Sequence, residues 1–315
     1  MYNHYMPQFE LSMGQPDKVI RRVASKYNAK DLQIRNTINC VGLVDERLVI
    51  KAPRSTQGMG SLAVETAALK LLGRSGPFSV NVPHVIEFST NPVFLVTTYL
   101  PGRIVEAATL PEISLKDREA LGHDIGAYIL AEAQQVDVEA AQREVPSPGE
   151  EDTWQRLFEV NVGSFSSPVF PSTSKLAKLL YARWLEYQKY NANEQFIHGD
   201  LRLGNMAVAE NNRLYGVFDF GRAGTGTASN EISPLANLDS TILRGVINEL
   251  RTASVDIDME QVYVWDNMKK LMQLVHYINS GNYLDNPPMF VSRACRILST
   301  HYTEFGWNEF NKLRV

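Results

Sequence analysis

Residues 198–205 read HGDLRLGN, and residues 217–221 read VFDFG; these two stretches decide how the chain is interpreted. They contribute two carboxylates and an amide, from Asp200, Asn205 and Asp219. Two short apolar β runs separated by a polar turn lie between them, which is the pattern of a hairpin. The hairpin folds the second carboxylate back towards the first, so all three side chains are predicted to share one site.

A set of three side chains with oxygen ligands suits the chemistry of a metal-bound triphosphate. Mg²⁺ takes a few protein oxygens and completes its shell with waters or substrate phosphates. Phosphoryl transfer mainly needs positioning and charge neutralisation, and a further carboxylate can orient the attacking hydroxyl. Taken one at a time, Asp219 is explained equally well as a turn-capping residue and Asn205 as a hairpin residue. That alternative does not explain the order in which the residues occur.

The ordered pattern HGDxxxxN followed by DFG resembles the aminoglycoside phosphotransferase superfamily, relatives of choline kinases and, more distantly, of protein kinases. The resemblance implies that Asp200 is the catalytic residue that orients or deprotonates the acceptor hydroxyl. It implies that Asn205 and Asp219 bind the metal, Mg²⁺, and that His198 shapes the loop. Residues 221–226 read GRAGTG, close to a run common in this family. No APE segment follows, which disfavours a protein kinase.

The resemblance also assigns residues that bind the nucleotide. Lys51, in the predicted strand 48–52, corresponds to the phosphate-binding lysine, and Glu65 is expected to pair with it. For each residue alone, a solvated surface position is the simpler interpretation. The backbone carbonyl of Thr98 and the amide of Leu100 are expected to hold the base, which leaves ATP and GTP both open as donors.

The loop expected to cover the phosphates departs from the protein-kinase pattern. Residues 35–39 read RNTIN and contain no glycine, whereas protein kinases use GxGxxG. Thr37 and Asn39 are the side chains that the sequence offers in its place. This departure keeps open a nucleotide-binding pseudokinase or scaffold, and recruitment of the fold to a non-kinase step on a natural product.

The predicted fold is α+β, a protein kinase-like bilobal fold with two parts. Residues 1–99 form a nucleotide-binding lobe with a small antiparallel sheet and one helix, and residues 100–315 form a large, mostly helical, catalytic and substrate-binding lobe. Helices are predicted over 16–30, 61–72 (with Ser61 as N-cap and Gly73 just past the end), 115–134, 174–190 and much of 234–310, including 259–278. Strands are predicted over 32–34, 40–44, 48–52, 85–88, 93–98, 206–209 and 215–218, with residues 145–173 mostly loop.

Composition is that of an ordinary soluble globular protein, with 44% hydrophobic and 21% charged residues and a net charge of −4. Neither a nucleic-acid partner nor a membrane span is indicated, and two cysteines far apart in sequence favour a reducing, cytoplasmic setting. Residues 1–99 carry 11 Lys+Arg and 7 Asp+Glu, and residues 100–315 carry 20 and 28. We therefore expect ATP-dependent phosphorylation of a hydroxyl on a small molecule such as an aminoglycoside or amino alcohol. The acidic excess in residues 100–315 favours a cationic acceptor.

Overall fold

The computed structural model describes residues 15–36, 39–146, 171–189, 194–236 and 238–279. Its helices are α1 (Pro16–Lys26), α2 (Thr56–Ser75), α3 (Leu115–Gln135), α4 (Val138–Glu144), α5 (Pro171–Gln188), α6 (Ala228–Ile232), α7 (Ser240–Thr252) and α8 (Met259–Asn279). Its strands are β1 (Leu32–Asn36), β2 (Asn39–Val44), β3 (Leu48–Pro53), β4 (Val85–Thr90), β5 (Val93–Thr98), β6 (Gln195–Ile197), β7 (Met206–Val208), β8 (Leu214–Val217) and β9 (Gly224–Gly226).

The chain divides into two compact units. The first combines residues 1–148 with 193–256, and the second combines 149–192 with 257–315. The predicted sheet region and the predicted catalytic loop both belong to the first unit. The predicted lobe boundary after residue 99 lies inside that unit and stays a prediction.

An antiparallel sheet of five strands, in the order β1-β2-β3-β5-β4, forms the N-terminal part of the first unit. The predicted turn at residues 45–47 joins β2 to β3, and Val44 pairs with Leu48 on either side of it. Lys51 lies opposite Val41 on one neighbouring strand and Leu95 on the other, so it sits on a central strand. A central strand is fixed on both edges, which gives its side chains a rigid base.

Helices cover both faces of this sheet. On one face α1 buries Ile20 and Val23 against a core that includes Ile50 and Val96. On the other face Leu62 of α2 packs with Leu95 and Val93. Because side chains alternate along a strand, the residue between Ile50 and Ala52 must point away from α1 and towards α2. That residue is Lys51.

Helix α2 is longer than predicted, and its predicted ends are wrong. The helix begins after Ser55, whose hydroxyl accepts the N–H of Gly58 at 3.1 Å, so Ser55 and not Ser61 is the N-cap. Gly73 lies inside the helix. A Cβ at Gly58 would lie 2.5 Å from Oδ1 of Asn39, so this glycine permits close packing of α2 on β2. Tertiary contact therefore overrides the low helix propensity of glycine.

Strands β6 and β9 pair with each other, with Ile197 opposite Gly224, so the segment between them begins and ends at the same place. Inside it, β7 and β8 form the predicted hairpin, with Met206 opposite Val217. Backbone bonds tie this hairpin to the preceding chain, since Arg103 pairs with Val208 and Asn81 exchanges N–H···O bonds with Tyr215 and Val217. The hairpin is thereby fixed beside the sheet within the first unit.

Helices α3 and α7 approach each other closely through glycines. A Cβ at Gly122 would lie 2.3 Å from the carbonyl oxygen of Ile242, and one at Gly245 would lie 2.5 Å from that of Glu119. The predicted helix over 115–134 is confirmed, whereas α4 and the strands β6 and β9 were not predicted. Their brevity explains the omission, since the seven residues of α4 and the three of each strand carry too little periodicity to recognise.

In the second unit, α5 and α8 pack through an edge-to-face contact of Trp184 with Trp265, with ring centroids 5.9 Å apart. Arg183 binds both carboxylate oxygens of Glu260, at 2.7 and 3.0 Å. The predicted helix 259–278 is confirmed. Predictions for residues 280–310, and for Cys295, lie outside the described residues. No helix in the described ranges combines the length and the apolar character that crossing a membrane requires.

Candidate active site

Strand β3 and helix α2 bring a lysine and a glutamate into contact. Nζ of Lys51 donates to both carboxylate oxygens of Glu65, each at 2.8 Å. The side chain of Glu65 is 2% exposed and that of Lys51 is 12% exposed. Because both groups are nearly removed from water and two bonds fix their geometry, this pair holds the ammonium in one position.

The same ammonium also reaches across 168 residues of sequence. Nζ of Lys51 lies 2.7 Å from Oδ1 of Asp219, whose side chain is 42% exposed. Asp219 has φ of +71°, a left-handed conformation that aspartate tolerates better than most residues. This turn directs the carboxylate to the lysine and leaves it partly accessible.

The residues after Asp219 fix that turn against α2. The backbone N–H of Phe220 donates to Glu65. A Cβ at Gly221 would lie 2.1 Å from Oγ of Ser61, so the chain passes close to the helix at this point. Helix α2 therefore positions the DFG segment as well as the lysine.

Lys51 stabilises the charge on each carboxylate, whereas the two carboxylates repel each other, and burial raises the pKa of Glu65 above its ordinary value. Burial lowers the pKa of Lys51, but the negative charges of Glu65 and Asp219 outweigh it and raise that pKa above its ordinary value. The positive charge of Lys51 in turn holds the pKa of Asp219 below its ordinary value. The cluster keeps a cation and an ionised carboxylate side by side at neutral pH.

The loop after β6 is organised by His198, which is fully buried. Its Nδ1 accepts the N–H of Asp200 at 3.2 Å, and its Nε2 lies 3.0 Å from the carbonyl oxygen of Phe218. These two bonds require the tautomer that carries its proton on Nε2. The imidazole thus joins the backbone of the HGD segment to the residue preceding Asp219, and both its nitrogens are engaged.

Asp200 and Asn205 lie at the two ends of this loop and are in contact. Nδ2 of Asn205 donates to the carbonyl oxygen of Asp200 at 2.9 Å and to its Oδ2 at 3.2 Å. Nε of Arg202 lies 3.3 Å from the same Oδ2. Asn205 also accepts the N–H of Phe218 with its backbone oxygen, at 3.0 Å. The loop is therefore cross-linked to the DFG segment through Asn205.

A buried glutamate that the sequence analysis missed supports the same loop. Oε1 and Oε2 of Glu231, on α6, accept the backbone N–H groups of His198 and Gly199 at 3.1 and 3.0 Å. Gly199 has φ of +77°, and a Cβ there would lie 2.1 Å from the carbonyl oxygen of Arg222. Glu231 lies 31 residues after Asp200 in a stretch without recognisable motif, so no local signal indicated it.

Thr98 and Leu100, whose backbone is predicted to hold the base, lie at the end of β5 and just after it. Thr98 ends β5 opposite Leu48, and its N–H donates to the carbonyl oxygen of His84 at 3.0 Å. A Cβ at Gly216 would lie 2.7 Å from Cδ1 of Leu100, so Leu100 packs on the β7–β8 hairpin. The backbone roles predicted for Thr98 and Leu100 stay predictions.

Of the two residues predicted to serve the phosphate loop, Thr37 lies outside the described residues. Asn39 begins β2, is buried, and pairs with Pro53 of β3. Its Oδ1 faces the backbone of Gly58 near the start of α2. A phosphate-binding role for either residue stays a prediction.

Comparison with known proteins identifies the family to which the chain belongs. The model of the phosphotransferase enzyme family matches residues 37–265, a range that includes Lys51, Asp200, Asn205 and Asp219. The chain belongs to that family. No curated protein sequence matches this phosphotransferase.

Solved structures show the same fold at low sequence identity. A streptomycin–ATP ternary complex of APH(2")-IIa is 16% identical, with a TM-score of 0.67, covering 93% of this chain and 97% of that one. The GDP complex of wild-type aminoglycoside 2'-phosphotransferase-IIIa is 17% identical, with a TM-score of 0.73 and coverage of 91% and 98%. Macrolide 2'-phosphotransferase MphH from Brachybacterium faecium, as apoenzyme, is 16% identical, with a TM-score of 0.58 and coverage of 90% and 98%.

In this phosphotransferase, then, one bonded network contains most of the residues that sequence analysis selected. Lys51 contacts Glu65 and Asp219, and the backbone next to Asp219 contacts His198 and Asn205, which bind Asp200. Thr98, Leu100 and Asn39 are placed by the sheet and the hairpin. The network supplies the cation of Lys51, the carboxylates of Asp200 and Asp219 on the support of Glu65, and the amide oxygen of Asn205 within one compact unit.

Proposed function

We propose that this phosphotransferase moves the γ-phosphoryl group of a magnesium-bound nucleoside triphosphate to a hydroxyl of a small molecule. The observation that carries the proposal is the 2.7 Å contact between Lys51 and Asp219. It joins the sheet region, which offers the cation, to the loop segment that offers the oxygen ligands. A triphosphate and a metal ion need these two kinds of group at the same place.

Lys51 is the group that binds the nucleotide phosphates. Its two contacts with Glu65 fix the position of Nζ, and the surrounding carboxylates keep it charged. A fixed ammonium neutralises the phosphate charge without having to reorganise during the reaction. The base is bound by the backbone of Thr98 and Leu100, an arrangement open to both ATP and GTP.

Asp219 and Asn205 are the residues that would hold Mg²⁺. The carboxylate of Asp219 is partly exposed, and the amide nitrogen of Asn205 is turned towards Asp200, so its oxygen is not used by those bonds. A carboxylate and an amide oxygen are hard ligands of the kind that magnesium prefers, and one or two protein ligands suffice when phosphates complete the shell. The bound ion would neutralise charge on the phosphates.

Asp200 acts on the acceptor. Asn205 and Arg202 both contact its Oδ2, which fixes the plane of the carboxylate. The acceptor oxygen forms a bond to the γ-phosphorus while the bond from that phosphorus to the leaving nucleoside diphosphate breaks. Asp200 orients the attacking hydroxyl and accepts its proton.

The acceptor is a small hydroxylated molecule, and we favour a cationic one. The structures similar to this chain include complexes with streptomycin, gentamicin and kanamycin. Residues 100–315 carry eight more acidic than basic side chains, which favours a positively charged ligand electrostatically.

The test is nucleotide consumption over a panel of aminoglycosides, macrolides and amino alcohols, with the wild type and Asp200→Ala. We expect the variant to lose about 10²- to 10⁴-fold of the acceptor-dependent rate, because a positioned base contributes about that much. Asp256→Ala, which alters an exposed aspartate, is the matched control and should keep the wild-type rate. Full activity of Asp200→Ala would refute the role of Asp200. Magnesium-dependent nucleotide binding without turnover of any acceptor would favour a binding protein.

A further inference from the structure

One side chain of the HGD loop is fixed at its backbone and exposed at its tip. The N–H of Arg202 donates to the carbonyl oxygen of Asp200 at 2.9 Å, and the carbonyl oxygen of Arg202 accepts the N–H of Asn205 at 2.8 Å. The side chain itself is 58% exposed. The loop therefore determines where this side chain begins and leaves its guanidinium accessible to a ligand.

The guanidinium of Arg202 is only lightly engaged by the protein. Its Nε lies 3.3 Å from Oδ2 of Asp200, and no hydrogen bond engages the group within the residues that the structure describes. A single exposed ion pair of this kind contributes little to stability. Because a guanidinium carries five N–H donors in a planar fork, most of its donors are available to a ligand.

The loop also brings the backbones of Asp200 and Asp219 together. The imidazole of His198 accepts the N–H of Asp200 at 3.2 Å, and its Nε2 lies 3.0 Å from the carbonyl oxygen of Phe218. The backbone at Asp200 and the backbone preceding Asp219 are therefore separated by the width of one ring. In the proposed function the phosphoryl group passes between the hydroxyl at Asp200 and the metal at Asp219. Arg202, which is paired with Asp200, lies beside that path.

A second cation is needed there because the charge of Lys51 is already engaged. Its ammonium is bonded to Glu65 and Asp219, and a magnesium-bound triphosphate still carries a net negative charge. Charge neutralisation is a main requirement of phosphoryl transfer. Lys51 is the main cause of the lowered pKa of Asp219, and the charge of Arg202 contributes to it as well. The guanidinium therefore acts on both the acceptor side and the metal side of the site.

We propose that Arg202 is a further catalytic residue, whose guanidinium binds the oxygens of the γ-phosphoryl group as that group moves from the nucleotide to the acceptor hydroxyl. Its Nε keeps the ion pair with Asp200, and its terminal nitrogens bind the phosphoryl oxygens. A planar fork of donors binds two oxygens of one phosphoryl group, which an ammonium does not. Arg202 neither gains nor loses a proton in the transfer. The assignment rests on the proposed function, because it requires a triphosphate in the site.

The first test is calorimetric titration of the wild type and Arg202→Met in the presence of Mg²⁺. The ligands are the β,γ-imido triphosphates of adenosine and guanosine, which keep their γ-phosphoryl group, and the corresponding diphosphates. We expect the variant to bind the better triphosphate about tenfold more weakly, since a hydrogen bond to a charged group contributes about that much, and to bind the diphosphate as the wild type does. Arg202→Lys should recover only part of the loss, because it keeps the charge without the fork.

Arg251→Met is the matched control, since it removes an exposed arginine in the last turn of α7 and should leave both affinities unchanged. Equal affinity of the wild type and Arg202→Met for the triphosphate would overturn the proposal. Equal losses for the triphosphate and the diphosphate would also overturn it, because Arg202 would then support the site without contacting the γ-phosphoryl group. If the wild type binds no nucleotide, the proposed function itself fails, and this assignment fails with it.

Kinetics distinguish the phosphoryl group from the acceptor as the partner of Arg202. With an active acceptor, Arg202→Met should lower kcat about 10²- to 10³-fold, as loss of one donor to a developing charge does, and should leave the KM of the acceptor unchanged. A raised KM for the acceptor at unchanged kcat would show that the guanidinium contacts the acceptor, and would refute the assignment.

Urea denaturation separates a catalytic role from a structural one. The midpoints of the wild type and Arg202→Met should coincide, because the ion pair with Asp200 is exposed. A clearly lower midpoint for the variant would mean that Arg202 is needed for folding, which contradicts a side chain kept for binding phosphate.

Discussion

The two ends of the site are held by different kinds of force. At the end formed by β3 and α2, the positive charge of Lys51 binds the side-chain carboxylates of Glu65 and Asp219. At the other end, the loop from His198 to Asn205 is held mainly through its backbone, by an imidazole, an amide and the buried Glu231. Side-chain charges suit a region that must exchange one partner for a ligand, whereas backbone bonds suit a loop that must not move.

Exposure follows the same division. Asp219, which is 42% exposed, is the more accessible of the two carboxylates that contact Lys51, whereas Glu65, at 2%, is enclosed by the protein. His198 and Glu231 are both fully buried. The comparison teaches that Glu65 is the fixed support of the first end and Glu231 that of the second. Each support can be removed separately.

Glu65→Ala gives the largest expected effect. It removes two bonds to Lys51 and the acceptor of the Phe220 N–H, and should lower the free energy of unfolding by about 3 kcal/mol. Urea denaturation at neutral pH measures it. Lys26→Ala, which breaks the exposed pair with Glu87 on the same sheet, is the control and should cost less than about 1 kcal/mol. Similar losses in both variants would contradict the distinction between a buried support and a surface pair.

Gly199→Ala tests the second end, with an expected loss of about 2 kcal/mol. The alanine would need a left-handed backbone and would meet the carbonyl oxygen of Arg222. Gly204→Ala lies in the same loop in open space and should change stability by less than about 0.5 kcal/mol. Denaturation curves for both variants are needed. If Gly199→Ala were as stable as Gly204→Ala, the loop would be less rigidly held than its backbone bonds indicate.

The smallest expected effect is the pH dependence at Asp219. Because Lys51 lowers its pKa, the ionised carboxylate stabilises the fold above its unfolded pKa of about 4, and this is lost as pH falls through the lower folded pKa. The stability difference between the wild type and Asp219→Asn should therefore shrink on acidification. Partial exposure limits the change to less than about 1 kcal/mol. A difference independent of pH from 6 to 2.5 would show that the charge does not contribute.

The sequence predicted the five strands of the sheet from their short apolar runs, whereas the pairing of Lys51 with Glu65 was implied by the family resemblance and not by a local pattern. It predicted the hairpin between Asn205 and Asp219 because turn residues separate two β runs. It did not predict the true start of α2, since Ser55 and Ser61 are equally acceptable caps by residue type, and the bond from the Gly58 N–H to Ser55 is visible only in the structure.

The support of the catalytic loop was beyond sequence reasoning for a related reason. Glu231 occurs in a short helical stretch, and an acidic residue there indicates a solvated face. Its importance arises from burial and from bonds to the backbone of His198 and Gly199, which depend on the tertiary arrangement of α6 and the HGD loop. A pattern of residue types alone does not contain that information.

The most direct test of the central claim, that Lys51 and Asp219 serve one magnesium–triphosphate unit, is calorimetric binding of ATP and GTP with and without Mg²⁺. We predict that Asp219→Asn loses the gain in affinity that Mg²⁺ gives the wild type, while Lys51→Met weakens binding under both conditions. Retention of the full magnesium-dependent gain in Asp219→Asn, with wild-type affinity in Lys51→Met, would contradict it.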